Sequence, residues 1–163
     1  MPSHRNASRS ELAQIVAIYN ATVPSRMVTA DTAPVSVESR VQWFEEHVPD
    51  RRPLWVVEDD ARVTAWLSFS NFYGRPAYAK TAELSLYVHP QFRRRGLGSY
   101  LLQEAIAHAP RIRVDTLLGF IFGHNRPSLA LFERHGFARW GELPKVAALD
   151  GVERDLVIVG RRA

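Results

Sequence analysis

Three groups of residues have the types and spacing that chemistry requires. The first is "RRRGLG", residues 93–98. Gly96 and Gly98 let backbone N–H groups converge on one small volume with no Cβ in the way. The first turn of a helix adds unpaired N–H donors and partial positive charge, which an anion satisfies. Arg93, Arg94 and Arg95 raise the charge further, and a pyrophosphate is the guest that fits. The second is Glu83, within "TAELSLYV". It alternates with Ala82, Leu84, Leu86 and Val88, so it stands on the strand face opposite those side chains. There it is either a solvated glutamate, as most are, or a general base. The third is Asn125 in "HNRPSLALFERHGF". Its place just before a helix suits an N-cap, and also suits a polar group held against a ligand.

Other chemistries fit less well. A dinucleotide fingerprint needs a third glycine at position 101, where Leu101 stands, and the Walker A pattern is absent. A nucleic-acid patch pairs basic residues with aromatics, and only Phe92 and Tyr100 are neighbours. A glycine turn carrying solvated arginines is the plain alternative. The sequence has no cysteine, which excludes disulfides, thiolate metal sites and a cysteine nucleophile. Its six histidines show no metal-ligand spacing, so no metal is expected. A net charge of +4 suits an anionic small ligand. No apolar run reaches membrane-spanning length and no signal peptide is recognised, so a cytoplasmic protein without membrane or nucleic-acid partners is expected.

The elements that must position these groups are legible. Ser8 and Glu11 form a capping box ahead of Leu12, Ile15, Val16 and Tyr19, one face of a helix. A short strand precedes it and an ordered loop follows. Ser36 caps a second helix with Val37, Val41, Phe44 and Val48 on its buried stripe, ended by Pro49. A hairpin turns at the acidic residues 58–60. Then come the Glu83 strand, a helix over 97–108, a strand over 116–122 buried on both faces, a short helix with Pro127 in its first turn and Gly136 after its end, and closing strands. The tryptophans 43, 55, 66 and 140 read as core. The order is β-α-α-β-β-β-α-β-α-β-β in one domain spanning 1–163. A mixed α/β sheet flanked by helices follows, with the strands at Glu83 and 116–122 parallel.

"R-x-x-G-x-G" at 93–98, after "YVHP" and before a helix, resembles the coenzyme A pyrophosphate loop of the GNAT N-acetyltransferase superfamily. Asn125, Ser128 and the pair Gly136 and Phe137 resemble its second cofactor segment. "IYN", "RPAY", "TAELSLYV" and "GVERD" resemble the phosphinothricin and methionine-sulfone N-acetyltransferase branch. The resemblance implies the GNAT fold, acetyl-CoA as cosubstrate, a small amino-acid-like amine as acceptor and a homodimer. It implies direct attack of the amine on the thioester, with Glu83 as base and backbone N–H groups near Tyr87 and Val88 meeting the acyl arm. It places Val88, Arg93, Arg94, Arg95, Gly96, Leu97, Gly98, Ser99, Asn125, Ser128 and Phe132 at the cofactor. It places Phe72, Arg75, Tyr78, Glu83, Ser85 and Glu153 at the acceptor, with Arg75 suited to a carboxylate.

The sequence departs from the branch in two places. Phe132 occupies the slot of a Tyr or His and cannot donate a proton. His135, three residues on, reads as an exposed helix-end residue with no role. The branch pattern "K-x-G-x-W-x-D" falls here on Leu149, Gly151, Glu153 and Asp155, exchanging a positive charge for none and adding a negative one. A polyamine, an aminoglycoside or a protein N-terminus therefore stays open as acceptor, as does a module that binds acyl-CoA without turnover.

Overall fold

The strand that carries Glu83 lies in the middle of a seven-stranded sheet. The computed structural model describes residues 1–163. Its elements are β1 (Arg5–Asn6), α1 (Leu12–Thr22), α2 (Val41–Glu45), β2 (Leu54–Asp59), β3 (Arg62–Asn71), β4 (Thr81–Val88), α3 (Leu97–His108), β5 (Thr116–Phe122), α4 (Arg126–Arg134), β6 (Ala138–Leu149) and β7 (Val152–Arg162). This is the order expected. The strands run β1-β2-β3-β4-β5-β7-β6, with β4 and β5 the parallel pair and all other neighbours antiparallel.

Two hydrophobic clusters cover the two faces. On one, Leu84 of β4 and Leu117, Ile121, Val157 and Val159 pack against Leu97, Leu101, Leu102 and Ala105 of α3. On the other, Ile15 and Ile18 of α1 pack on Val56, Val63 and Trp66. The Trp66 indole donates to Ile15 O at 3.0 Å and pins α1 to β3. The hairpins close on Asp60 with Ala61, and on Asp150 with Gly151, all at positive φ, the conformation that suits the strand twist. No helix is long and apolar enough to cross a membrane.

Two expectations need correction. The second helix is only five residues long, preceded by a 3-10 turn at Glu38–Arg40, and Val48 is exposed. The His47 ring bonds Trp43 O at 2.7 Å, filling a carbonyl that a longer helix would use; the contacts come from adjacent Trp43 and Phe44 instead of a stripe. Trp140 is not core. It is half exposed and lies across β7 where Gly160 has no Cβ to oppose it.

Candidate active site

β4 and β5 are eight and seven residues long, yet they pair only at Thr81–Thr116, Ala82–Leu117 and Glu83–Leu118. Beyond Glu83 the strands part. The ladder with β3 fixes where the β4 backbone points. His89 N–H bonds Thr64 O at 2.8 Å, in register with the Ala65–Val88 and Trp66–Tyr87 pairs. Antiparallel bonding alternates, so Glu83, Ser85 and Tyr87 direct their N–H groups to β3. Leu86 and Val88 direct theirs into the gap. Of the expected Tyr87 and Val88 donors, Val88 therefore faces the opening and Tyr87 does not; Leu86 takes the second place.

The gap opens into a cleft of about 510 Å³. Arg93, Arg94, Gly96, Leu97 and Gly98 border it from one side, Asn125, Ser128 and Phe132 from the other, and Val88 between them. Arg94 and Gly96 both have positive φ, +63° and +76°, and Gly96 caps α3. Left-handed residues entering a helix form a concave set of N–H donors. Three expected cofactor contacts differ in detail. The Leu97 side chain is buried in the core, so only its backbone is free for an anion. The Arg95 guanidinium lies 4.8 Å from the Phe92 ring centroid, with Arg62 at 4.9 Å. Ser99 Oγ bonds His135 Nε2 at 2.8 Å. His135 is thus half-buried, its carbonyl taken by Arg161 at 2.6 Å, and ties α4 to α3.

Asn125 is buried, and its Oδ1 accepts from Ser128 N–H at 3.3 Å. It caps α4 and lines the cleft at once. Phe132 is buried 5.0 Å from the Phe137 ring. It packs under Gly119, where a Cβ would stand 3.0 Å from Phe132 Cε2 and from Val159 Cγ2.

A second, smaller cavity of about 110 Å³ lies under α1 and α2. Tyr19, Arg40, Trp43, Trp66, Ser68 and Tyr87 are among its walls, and Ser85 joins it to the cleft. Trp66 and Tyr87 stack at 4.6 Å and Tyr19 meets Tyr87 at 5.2 Å. The Tyr19 hydroxyl donates to Asp31 and contacts Thr29. Burial pushes the Glu83 carboxyl above the ordinary carboxylate range. Burial likewise pushes the Tyr87 phenol up, and Tyr19 and Glu83 add to that push.

Of the expected acceptor residues, Ser85 borders both cavities, while Glu83 sits at the fork of the strands. Glu83, Phe72, Arg75, Tyr78 and Glu153 are not themselves in either wall. Phe72 is half-buried, 5.3 Å from Tyr78 and 6.4 Å from Phe120 of the cleft wall. Arg75, Tyr78 and Glu153 are exposed, Glu153 opposite Ala148 on the outer hairpin. The sequence reading missed Tyr19, Arg40 and Trp43, and the loop from 22 to 35. Their one signal was "IYN"; the rest looked like core or turn. Arg26 fastens that loop, bonding Asp150 at 2.9 Å and giving its carbonyl to His124 Nε2 at 2.8 Å.

A sequence model of the acetyltransferase (GNAT) family matches residues 15–137. The chain belongs to this family. It is an acyltransferase by that membership. YwnH of Bacillus subtilis (strain 168), a candidate phosphinothricin acetyltransferase, is 56% identical over 96% of this chain and 96% of its own. An L-methionine sulfoximine/L-methionine sulfone acetyltransferase of Salmonella typhimurium (strain LT2) is 29% identical over 95% of this chain and 91% of its own. The structure of yncA of Salmonella typhimurium, a candidate acetyltransferase solved with its cofactor acetyl-CoA, is 28% identical. It superposes with a TM-score of 0.92 over 99% of this chain and 94% of that one. The family fold and the observed mixed sheet agree.

Proposed function

We propose that the protein transfers acetyl from acetyl-CoA to the amine of a small amino acid or amino-acid analogue. The observation that carries this is the fork between β4 and β5. It sets a half-buried carboxyl, Glu83, at the last β4–β5 pair, one residue before the wall of a cleft that the arginine-glycine loop also borders. The residues suit the cosubstrate: left-handed Arg94 and Gly96 for a pyrophosphate, free Leu86 and Val88 N–H groups for the pantetheine arm and acyl oxygen, and Asn125 and Ser128 along the same wall. Bound acetyl-CoA supplies an activated acyl thioester. The chain supplies orientation, N–H donors aimed where negative charge gathers, and a base.

A carboxyl with a raised pKa is better matched to an ammonium proton at neutral pH than an exposed one. In this reading Glu83 takes the proton, directly or through water. The amine then attacks in a ternary complex, there being no cysteine for an acyl-enzyme. Phe132 gives no proton to the departing thiolate, which leaves as the anion or is protonated by water or another group. In Glu83→Gln we expect kcat/KM to fall about 100-fold and the acid limb of the pH profile to vanish, while acetyl-CoA binds as before. Full activity across the profile would remove Glu83 as the base. If wild type releases no free CoA thiol with any amino acid or other amine, yet binds acetyl-CoA tightly, a binding module is favoured instead.

The reading extends to the cytoplasm and to a homodimer. The dimer is supported by the edge position of β6 and the exposed Trp140, Leu143, Val146 and Val152 on that hairpin. Sedimentation at micromolar concentration tests it.

A further inference from the structure

The cavity under α1 and α2 contains one cation with unfilled donors. Arg40 bonds Asp31 Oδ2 through Nη2 at 3.2 Å, and its guanidinium lies 5.0 Å from the Tyr19 ring centroid. A guanidinium has five N–H donors in a rigid fork, and the rest of this one carries no protein hydrogen bond. The side chain is 29% exposed, held between a carboxylate and a ring. It is oriented and not saturated. Arg52 differs: its Nη1 and Nη2 are taken by Arg51 O and Ala79 O at 2.8 and 2.7 Å.

The cavity around Arg40 is aromatic, with Trp43, Trp66 and Tyr87 as walls. It reaches Ser85, one strand repeat (about 6.6 Å) from Glu83. An acceptor seated there lays its stem on the rings and turns its amine toward the fork. We infer that Arg40 is the specificity-determining anchor for an oxygen-bearing group of the acceptor, either its α-carboxylate or strongly polar side-chain oxygens such as those of a sulfone. A fork of N–H donors binds paired oxygens bidentately, which a lysine does not. The inference rests on the amino-acid reading above.

The test is steady-state kcat/KM for three acceptors: L-methionine sulfone, its α-carboxamide and L-methionine. Each is measured with wild type, Arg40→Gln and Arg40→Lys, with acetyl-CoA Kd alongside. Wild type is expected to prefer the sulfone over at least one analogue by about 30-fold, the scale of a hydrogen bond to a charged group. Arg40→Gln is expected to bring that ratio near unity with Kd for acetyl-CoA unchanged, and Arg40→Lys to reduce it at least about threefold. Loss of the acid-to-amide ratio assigns the α-carboxylate to Arg40, and loss of the sulfone-to-thioether ratio assigns the side-chain oxygens. Both ratios intact in either folded variant would overturn the inference and leave the amino-acid reading standing. If Arg40→Gln does not fold, the Arg40→Lys ratio decides alone. Wild type inert toward all three would overturn both.

Discussion

At the scale of single residues, Glu83 shows how burial couples function to stability. Its folded pKa is raised by burial, so its carboxyl favours folding while protonated. That contribution is present below the ordinary glutamate pKa and is lost as pH rises through the raised value. At pH 7.5 the ionised group is a cost. Glu83→Gln should therefore melt about 2–4 °C higher than wild type at pH 7.5, with the gain gone near pH 4. A calorimetric scan at the two pH values checks this; a lower Tm at pH 7.5 would mean the carboxylate has a stabilising partner. Stability gained as activity is lost is common at active sites. The candidate base was legible because a lone glutamate interrupts an apolar alternation. Its depth and neighbours were not, since alternation gives the face but not what covers it. Arg40 shows the converse: nothing around it in the sequence marks it, and only the packing of a five-residue helix beside β3 brings it to a cavity.

At the scale of elements, the turn from β4 into α3 makes its own prediction. Gly96 caps α3 at φ +76° with nothing within 4 Å of an added Cβ, and Gly151 has φ +77° in a hairpin with equal space. Alanine at either costs about 1–2 kcal/mol from backbone strain alone. Only Gly96→Ala should also weaken acetyl-CoA binding, which titration calorimetry on the two variants would show; equal affinity in both would mean the loop does not hold the pyrophosphate. Gly119 tests the opposite wall. Gly119→Ala forces a methyl against Phe132 and Val159 at 3.0 Å, and should cost about 1–3 kcal/mol by overpacking. Denaturant midpoints measure it. The arginine-glycine loop, the capping box and the glycine after α4 were readable because each is a local device satisfied within one turn. The short second helix was misjudged because the same stripe fits a long helix or a single turn, and only the contact with Trp66 selects between them.

At the scale of the whole molecule, histidines join distant parts of the chain. His4 sits 4.2 Å from the Trp55 ring and bonds the Tyr100 hydroxyl at 2.8 Å, tying the N-terminus to α3. His108 packs on Trp55 from α3, while His47 packs locally on Trp43, four residues before it. Burial lowers the pKa of all three. Each gives stability that is present above the ordinary histidine value and lost as pH falls through its lowered one. Thermal melts should fall by several degrees between about pH 6.5 and 5; a Tm constant over that window would exclude the effect. The element order, the parallel pair at the centre, the candidate anion loop and the candidate base follow from the sequence alone, because periodicity, caps and glycines act over a few residues. Tertiary structure alone decided that β4 and β5 part just after Glu83, that Leu86 and not Tyr87 shares the free N–H groups with Val88, and that Arg40 faces a cavity while Arg75 stays in solvent. Those facts depend on which strands lie side by side and where their register stops, and no local pattern along the chain encodes that.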